Sequence, residues 1–129
     1  MIIPFLIAGI FLFIVFAVHL IGGTKMYMFI RPSQDSKDFI PWAMGAGAFQ
    51  MVTVDLFLTA LFALILGLEL IDYNHYLALF IALLYAGYMV LWLATLTALR
   101  VKVSFYKTLG HWTIFLAAMA LMVWGIMIQ

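Results

Sequence analysis

Four long apolar stretches make up most of this chain, and they restrict its possible folds more than any other feature. Of its 129 residues, 69% are hydrophobic and 9% are charged. Soluble domains carry about a quarter charged residues, so this chain has too little polar surface to dissolve in water. A run of about 20 apolar residues can cross a bilayer as a helix. The sequence therefore predicts an integral membrane protein with one domain.

The apolar stretches predict an all-α fold, and the short connections between them predict an up-down four-helix transmembrane bundle. All six Lys and Arg residues fall in loops 24–40 and 100–107. Because positive residues concentrate in cytoplasmic loops, we expect these two loops to be cytoplasmic and both termini to lie outside. The expected location is the plasma (inner) membrane, which the chain would cross several times. The predicted helices cover residues 2–21, 41–70, 75–99 and 108–128.

The positive charge of these two loops also indicates which molecules the chain would contact. Their basic residues would orient the protein and contact anionic lipid headgroups. The net charge of +1 gives no reason to expect nucleic acid as a partner. The lipid bilayer, further copies of the chain or other membrane subunits are the expected partners. The headgroup candidates are Lys25, Arg31, Arg100, Lys102 and Lys107.

Sequence motifs give no support to an enzymatic function. The chain has no cysteine, which excludes disulfides, thiolate metal ligands and cysteine nucleophiles. It also contains no P-loop, GxSxG, HExxH or dinucleotide fingerprint. No catalytic residue, metal site or bound cofactor is therefore predicted.

Asp55 is the sharpest functional hint, because it lies near the middle of the second predicted helix. A carboxylate at the bilayer centre costs about 2.5–3.5 kcal/mol on the insertion scale, so it needs a partner or a function. Gln50 and Thr59 lie close by in the sequence, and Tyr88 is expected at a similar depth on the third helix. These residues would form an intramembrane polar site that binds a proton or a substrate. The alternative is a hydrogen-bonded carboxyl group that joins two helices.

Two histidines suggest how that polar site could extend toward the cytoplasm. His19 lies near the end of the first helix, and His111 is at a similar depth on the fourth. If these faces converge with Gln50 and Thr95, a polar pocket opens toward the cytoplasm with Asp55 at its floor. His19 could contact a quinone, relay protons or make an interhelical hydrogen bond. A haem held between His19 and His111 is a further possibility.

Three patches of sequence carry a resemblance: residues 19–25 followed by Arg31–Pro32, residues 49–53, and residues 110–112. Together they resemble small four-helix bacterial membrane proteins of uncharacterised function. The GxxK-like end of the first patch is also similar to DoxX-like proteins. The resemblance implies a four-helix fold in a membrane. Gln50 stands where a histidine is expected in the second patch, which puts a redox or metal role in doubt.

These observations leave three functions open. The first is a non-catalytic subunit that packs in the membrane against its own copies or within a larger complex. The second is a small transporter or channel protomer that uses Asp55 to bind protons or cations. The third is a membrane enzyme or electron carrier that acts on a quinone or a lipid, with His19 and His111 near its site.

Overall fold

Helices account for the regular structure of this protein. A computed structural model describes residues 1–129, apart from the side chain of Lys107. Its helices are α1 (Ile3–Phe29), α2 (Phe39–Gly67), α3 (His75–Ala98), α4 (Val103–Thr108) and α5 (His111–Met127). The predicted all-α class is confirmed. The helices α1, α2 and α3 are long and apolar enough to cross a membrane, and α5, with 17 residues, is shorter.

Successive long helices run in opposite directions around one core. The start of α1 contacts the ends of α2 and α5, since Gly67 lies against Leu6 and Gly125 lies against Phe5. The end of α1 reaches the start of α2, where the indole of Trp42 donates to the carbonyl of Tyr27. The helix α5 packs on α1 and α3, whereas α2 and α3 make few direct contacts. The helices α1, α2, α3 and α5 therefore form a ring in which the packing between α2 and α3 is loose.

The two ends of the bundle pack very differently. Buried alanines from the helices fill one half, which we call the closed half, and α1 adds Phe5 and Leu12, both with 0% exposure. Small side chains let helices approach closely. In the other half, α2 buries no residue from Phe39 to Val52. We call this the basic half, because all six Lys and Arg residues belong to its connections and helix ends. The alanines of the closed half are Ala8, Ala60, Ala63, Ala78, Ala82 and Ala118.

The first helix does not stop at residue 21, where the prediction ended it. Gly22 and Gly23 suggested a break, but the backbone passes through a π-helical turn over His19–Gly23 and continues to Phe29. Gly23 has a packing role, because a Cβ atom there would lie 2.5 Å from Cζ of Phe49. A π turn inserts an extra residue into a helix and is frequent at functional sites.

The second and third helices end in Schellman motifs without glycine. The N–H groups of Glu69 and Leu70 bond to the carbonyls of Leu66 and Ile65, and Glu69 has φ 54°. Arg100, with φ 51°, takes the same place after α3. Glycine usually fills this left-handed position, so its absence explains why the prediction placed the end of α2 at residue 70 rather than at Gly67.

The fourth predicted helix is present as α5, and a separate short helix, α4, precedes it. The stretch predicted as loop 100–107 contains α4, and α5 begins at His111 rather than at residue 108. Two indoles satisfy carbonyls near this break: Trp92 donates to Leu109 over 3.0 Å, and Trp112 donates to Tyr106 over 3.3 Å. The break is therefore held by tryptophan side chains that no local helix signal reveals.

Candidate ligand-binding cavity

A cavity of about 360 Å³ lies in the basic half, between α2 and α3, with α1 and α5 behind it. It opens where α2 and α3 separate, and Val52 and Leu91, one from each helix, are exposed there. Its volume is at the lower end of the roughly 300–1,000 Å³ typical of ligand pockets. The lining residues are Val15, His19, Phe49, Val52, Leu56, Tyr88, Leu91, Trp92, Thr95, His111, Ile114 and Phe115.

The cavity exists because side chains, rather than backbones, bridge α2 and α3. Tyr85 is buried, and its hydroxyl lies 2.7 Å from Oγ1 of Thr59. One turn along α3, the Tyr88 hydroxyl donates to the Asp55 carboxylate over 2.7 Å. Phenol rings are long, so these bonds join the helices without bringing their axes together. Beyond Tyr88, toward the basic half, the space between the helices stays open.

Asp55 is half-buried and reaches the cavity only through Tyr88. Its carboxylate does not belong to the lining. Thr59 does not bond to this carboxylate, since its hydroxyl donates to the backbone carbonyl of Asp55 over 2.7 Å. The predicted pairing of Asp55 with Tyr88 is therefore present in the structure, and Thr59 supports the neighbouring Tyr85 instead.

His19 is fixed at the π turn by two contacts with α2. Its Nδ1 atom lies 3.0 Å from Oγ1 of Thr53, and its ring stacks on Phe49 with centroids 3.9 Å apart. Thr53 also lies 3.3 Å from the Phe49 carbonyl and 3.3 Å from Oε1 of Gln50. A ring held on its face and at one nitrogen has a set orientation, which leaves Nε2 as its other polar atom.

His111 comes to the same cavity from the first turn of α5. Its ring lies 4.9 Å from the Trp92 ring, between centroids. Because the Trp92 indole donates to the Leu109 carbonyl just before α5, Trp92 also fixes the start of that helix. The structure thus places His19, Thr95 and His111 in one cavity, together with Tyr88.

Gln50 lies outside this cavity. Its amide donates to Oγ1 of Thr24 over 3.1 Å, and it lines a second hollow of about 290 Å³ between the end of α1 and the start of α2. Arg100 is exposed at the end of α3 and does not line the main cavity either. The site residues proposed from the sequence therefore separate: His19 and Tyr88 line the main cavity, whereas Asp55 lies behind Tyr88 and Gln50 lines the second hollow.

The basic residues predicted to contact headgroups lie at the end of the bundle nearest the cavity. Lys25, Arg100 and Lys102 are exposed. The Arg31 guanidinium lies 5.7 Å from the Trp42 ring and 5.8 Å from the Phe39 ring, within the range of cation–π attraction. Lys107 belongs to α4, and its side chain lies outside the described part of the structure.

Phe49 is the residue that sequence reasoning missed. It stacks on His19, contacts Tyr27 with centroids 5.4 Å apart and lines the cavity. A phenylalanine in an apolar helix does not stand out. Its one local signal is its place four residues before Thr53, on the same helix face.

The side chains present give little support to a metal centre. Within the described residues, no group of three His, Asp or Glu side chains is placed to hold a metal ion. The cavity volume also suits a single-ring molecule better than a tetrapyrrole held between His19 and His111. Its walls suit an uncharged organic ligand.

Comparison of the chain with protein-family models, with curated proteins and with solved structures finds no match.

Proposed function

We propose that this chain is an integral membrane protein that binds a lipid-soluble small molecule in the cavity between α2 and α3. The observation that carries the proposal is that the cavity opens sideways between two apolar helices. Its lining is largely aromatic, with polar side chains at one end. In a bilayer, Val52 and Leu91 at this opening would face lipid tails. A ligand would enter from the membrane with its polar head toward His19 and His111. Among the three functions left open by the sequence, this one corresponds to the third, in which the protein interacts with a lipid or a quinone.

The proposal includes an orientation in the membrane. The basic half would face the cytoplasm, because its connections hold all the lysines and arginines. The polar head of the ligand would then lie near the cytoplasmic surface, beside residues that attract anionic headgroups. Transport of protons or cations through Asp55 stays a prediction.

Narrowing the opening tests the binding function. We expect Val52→Phe combined with Leu91→Phe to weaken binding of a lipid-soluble molecule, because two larger rings would obstruct the entrance. Accessibility is measured as quenching of Trp92 fluorescence by a brominated alkane in lipid nanodiscs. Subtracting the signal of the matched Trp92→Phe proteins isolates this tryptophan. The expected result is a clear loss of Trp92 quenching in the double variant.

Leu83→Phe is the matched control. Leu83 is exposed on α3 but does not line the cavity, so this variant should be quenched like the wild type. Equal quenching of Trp92 in all three proteins would argue against a lateral entrance. Organic extraction of the purified protein, followed by mass spectrometry, would identify a retained ligand.

A second candidate function is a non-catalytic subunit that packs against itself or another membrane protein. The first half of α2 favours it, because this segment buries no side chain within the bundle and exposes Ala43 and Gly47 four residues apart. A Cβ atom added at Gly47 would meet no neighbour within 4 Å. Small residues at this spacing allow a second helix to approach closely.

Native mass spectrometry from mild detergent tests this second function. We expect a defined oligomer or a heteromeric complex that Gly47→Leu disrupts, because a leucine side chain would keep a second helix at a distance. Gly87→Leu on α3 is the control, since it also adds bulk into open space. A strictly monomeric wild-type protein would contradict the subunit function and leave the ligand-binding function intact.

A further inference from the structure

We infer that the ligand of this cavity is a lipid-soluble phenol, an aromatic ring whose hydroxyl group donates a hydrogen bond to the protein. The inference rests on the proposed binding function and concerns the chemistry of the ligand. It follows from counting the hydrogen-bond donors and acceptors that the cavity walls leave unused.

The hydroxyl protons of the cavity are already committed. Tyr88 donates its proton to Asp55 over 2.7 Å, and Thr95 donates to the Leu91 carbonyl over 2.8 Å. The Trp92 N–H is taken up by the carbonyl of Leu109. What Tyr88 and Thr95 still offer a ligand is oxygen lone pairs, because a hydroxyl has one proton and two acceptor sites.

His19 adds a third acceptor. The Phe49 carbonyl and Oε1 of Gln50, both 3.3 Å from the Thr53 hydroxyl, can only accept its single proton. We therefore assign the proton of the 3.0 Å contact to Nδ1 of His19, which would donate to Thr53, because the Thr53 proton is then free to serve one of these two acceptors. In a neutral imidazole the other nitrogen is then an acceptor. Nε2 of His19 therefore awaits a donor.

His111 supplies the remaining polar atoms. As a neutral imidazole it has one donor and one acceptor. Acceptors thus outnumber donors around the cavity, which favours a ligand that brings at least one proton. A phenol hydroxyl suits this wall, because it can donate to an acceptor such as Nε2 of His19 and accept one bond in return. A ligand with only ether or ketone oxygens would leave the acceptors unpaired.

The walls indicate that the rest of the head is uncharged and aromatic. None of the lining residues is Lys, Arg, Asp or Glu, so no fixed charge among them pairs with an ion. Phe49, Trp92 and Phe115 present rings to the space, and rings of this kind favour stacked or edge-on aromatic partners. About 360 Å³ holds a single substituted ring, and an alkyl chain would leave between Val52 and Leu91.

A pair of probes that differ at one oxygen tests the inference. The probes are 4-octylphenol and its methyl ether, titrated into the wild-type protein in nanodiscs with Trp92 fluorescence as the readout. The Trp92→Phe protein again provides the background. We expect the phenol to bind about two- to tenfold more tightly, the value of one neutral hydrogen bond.

Two variants connect this preference to named atoms. His19→Phe should weaken phenol binding and leave ether binding unchanged, whereas His75→Phe at the closed end should change neither. Asp55→Asn should raise ether binding, because the asparagine amide can donate to Tyr88 and free the tyrosine proton for the ligand.

The outcomes separate the two proposals. Binding of both probes with equal affinity would overturn the phenol inference and leave the binding function standing. A preference that survives His19→Phe and Asp55→Asn alike would also overturn it, since the proton would then go elsewhere. If neither probe reached Trp92, that result would contradict the proposed cavity function itself.

Discussion

We expect Tyr88→Phe to lower the free energy of unfolding by about 1.5–3 kcal/mol, because it removes the donor that serves the Asp55 carboxylate. This 2.7 Å bond is one of two side-chain hydrogen bonds that span the gap between α2 and α3 in the described residues. Without it, the half-buried Asp55 carboxylate has no other hydrogen-bond partner among the described residues. Unfolding in mild detergent, followed by circular dichroism, measures the loss.

A double-mutant cycle isolates the energy of the pair. Asp55→Ala, Tyr88→Phe and the double variant should show a coupling of about 1.5–3 kcal/mol, since the second change costs little once the first is made. Tyr76→Phe is the control, because the Tyr76 side chain is 82% exposed. A coupling below about 0.5 kcal/mol would mean that the two residues act independently, and the bond would then not join the helices.

The second large effect is expected at the closed end. Gly67→Ala should cost about 1–3 kcal/mol, because the added Cβ atom would lie 2.5 Å from the backbone nitrogen of Leu6 and 2.7 Å from its Cα. Backbone atoms cannot rotate away, so α1 itself must move. That movement would also disturb the 2.9 Å bond from the Ile2 N–H to the Gly67 carbonyl.

Gly87→Ala provides the matched comparison for Gly67. A Cβ atom at Gly87 meets nothing within 4 Å, and alanine favours a helix interior over glycine by about 1 kcal/mol. We therefore expect this variant to be neutral or stabilising in the same unfolding measurement. Similar losses for both glycines would contradict the close approach of α1 and α2 at Gly67.

Hydrophobic composition was enough to predict an all-α chain with long apolar helices, because such runs have few alternatives. Helix ends were harder to predict. The prediction placed the end of α2 three residues too late, since Glu69 adopts a left-handed conformation that glycine usually marks. It also ended the first helix at residue 21, just before Gly22 and Gly23, whereas the backbone passes through a π turn over His19–Gly23 and continues. Both differences arise from local backbone geometry that residue type signals poorly.

The contacts of the candidate site could be predicted only where the depth of two residues in the bundle is enough to bring them together. Asp55 and Tyr88 share a level in the bundle, and they pair. Gln50 lies at a depth that suited the cavity, but it is on another face of α2, where its amide bonds to Thr24 of α1. Facing directions depend on how helices rotate about their axes, and the π turn changes that rotation for the end of α1. A single sequence carries no signal of such a rotation.

The π turn has a consequence for the phase of the first helix. In a regular α-helix, residues eight positions apart differ by ~80° around the axis, at 3.6 residues per turn. His19 and Tyr27 are eight positions apart, yet both rings pack against Phe49. One extra residue in the turn offsets most of that difference, since each residue accounts for ~100°. The inserted residue thus keeps the two halves of a long helix in step, so that one phenylalanine on α2 can hold them both.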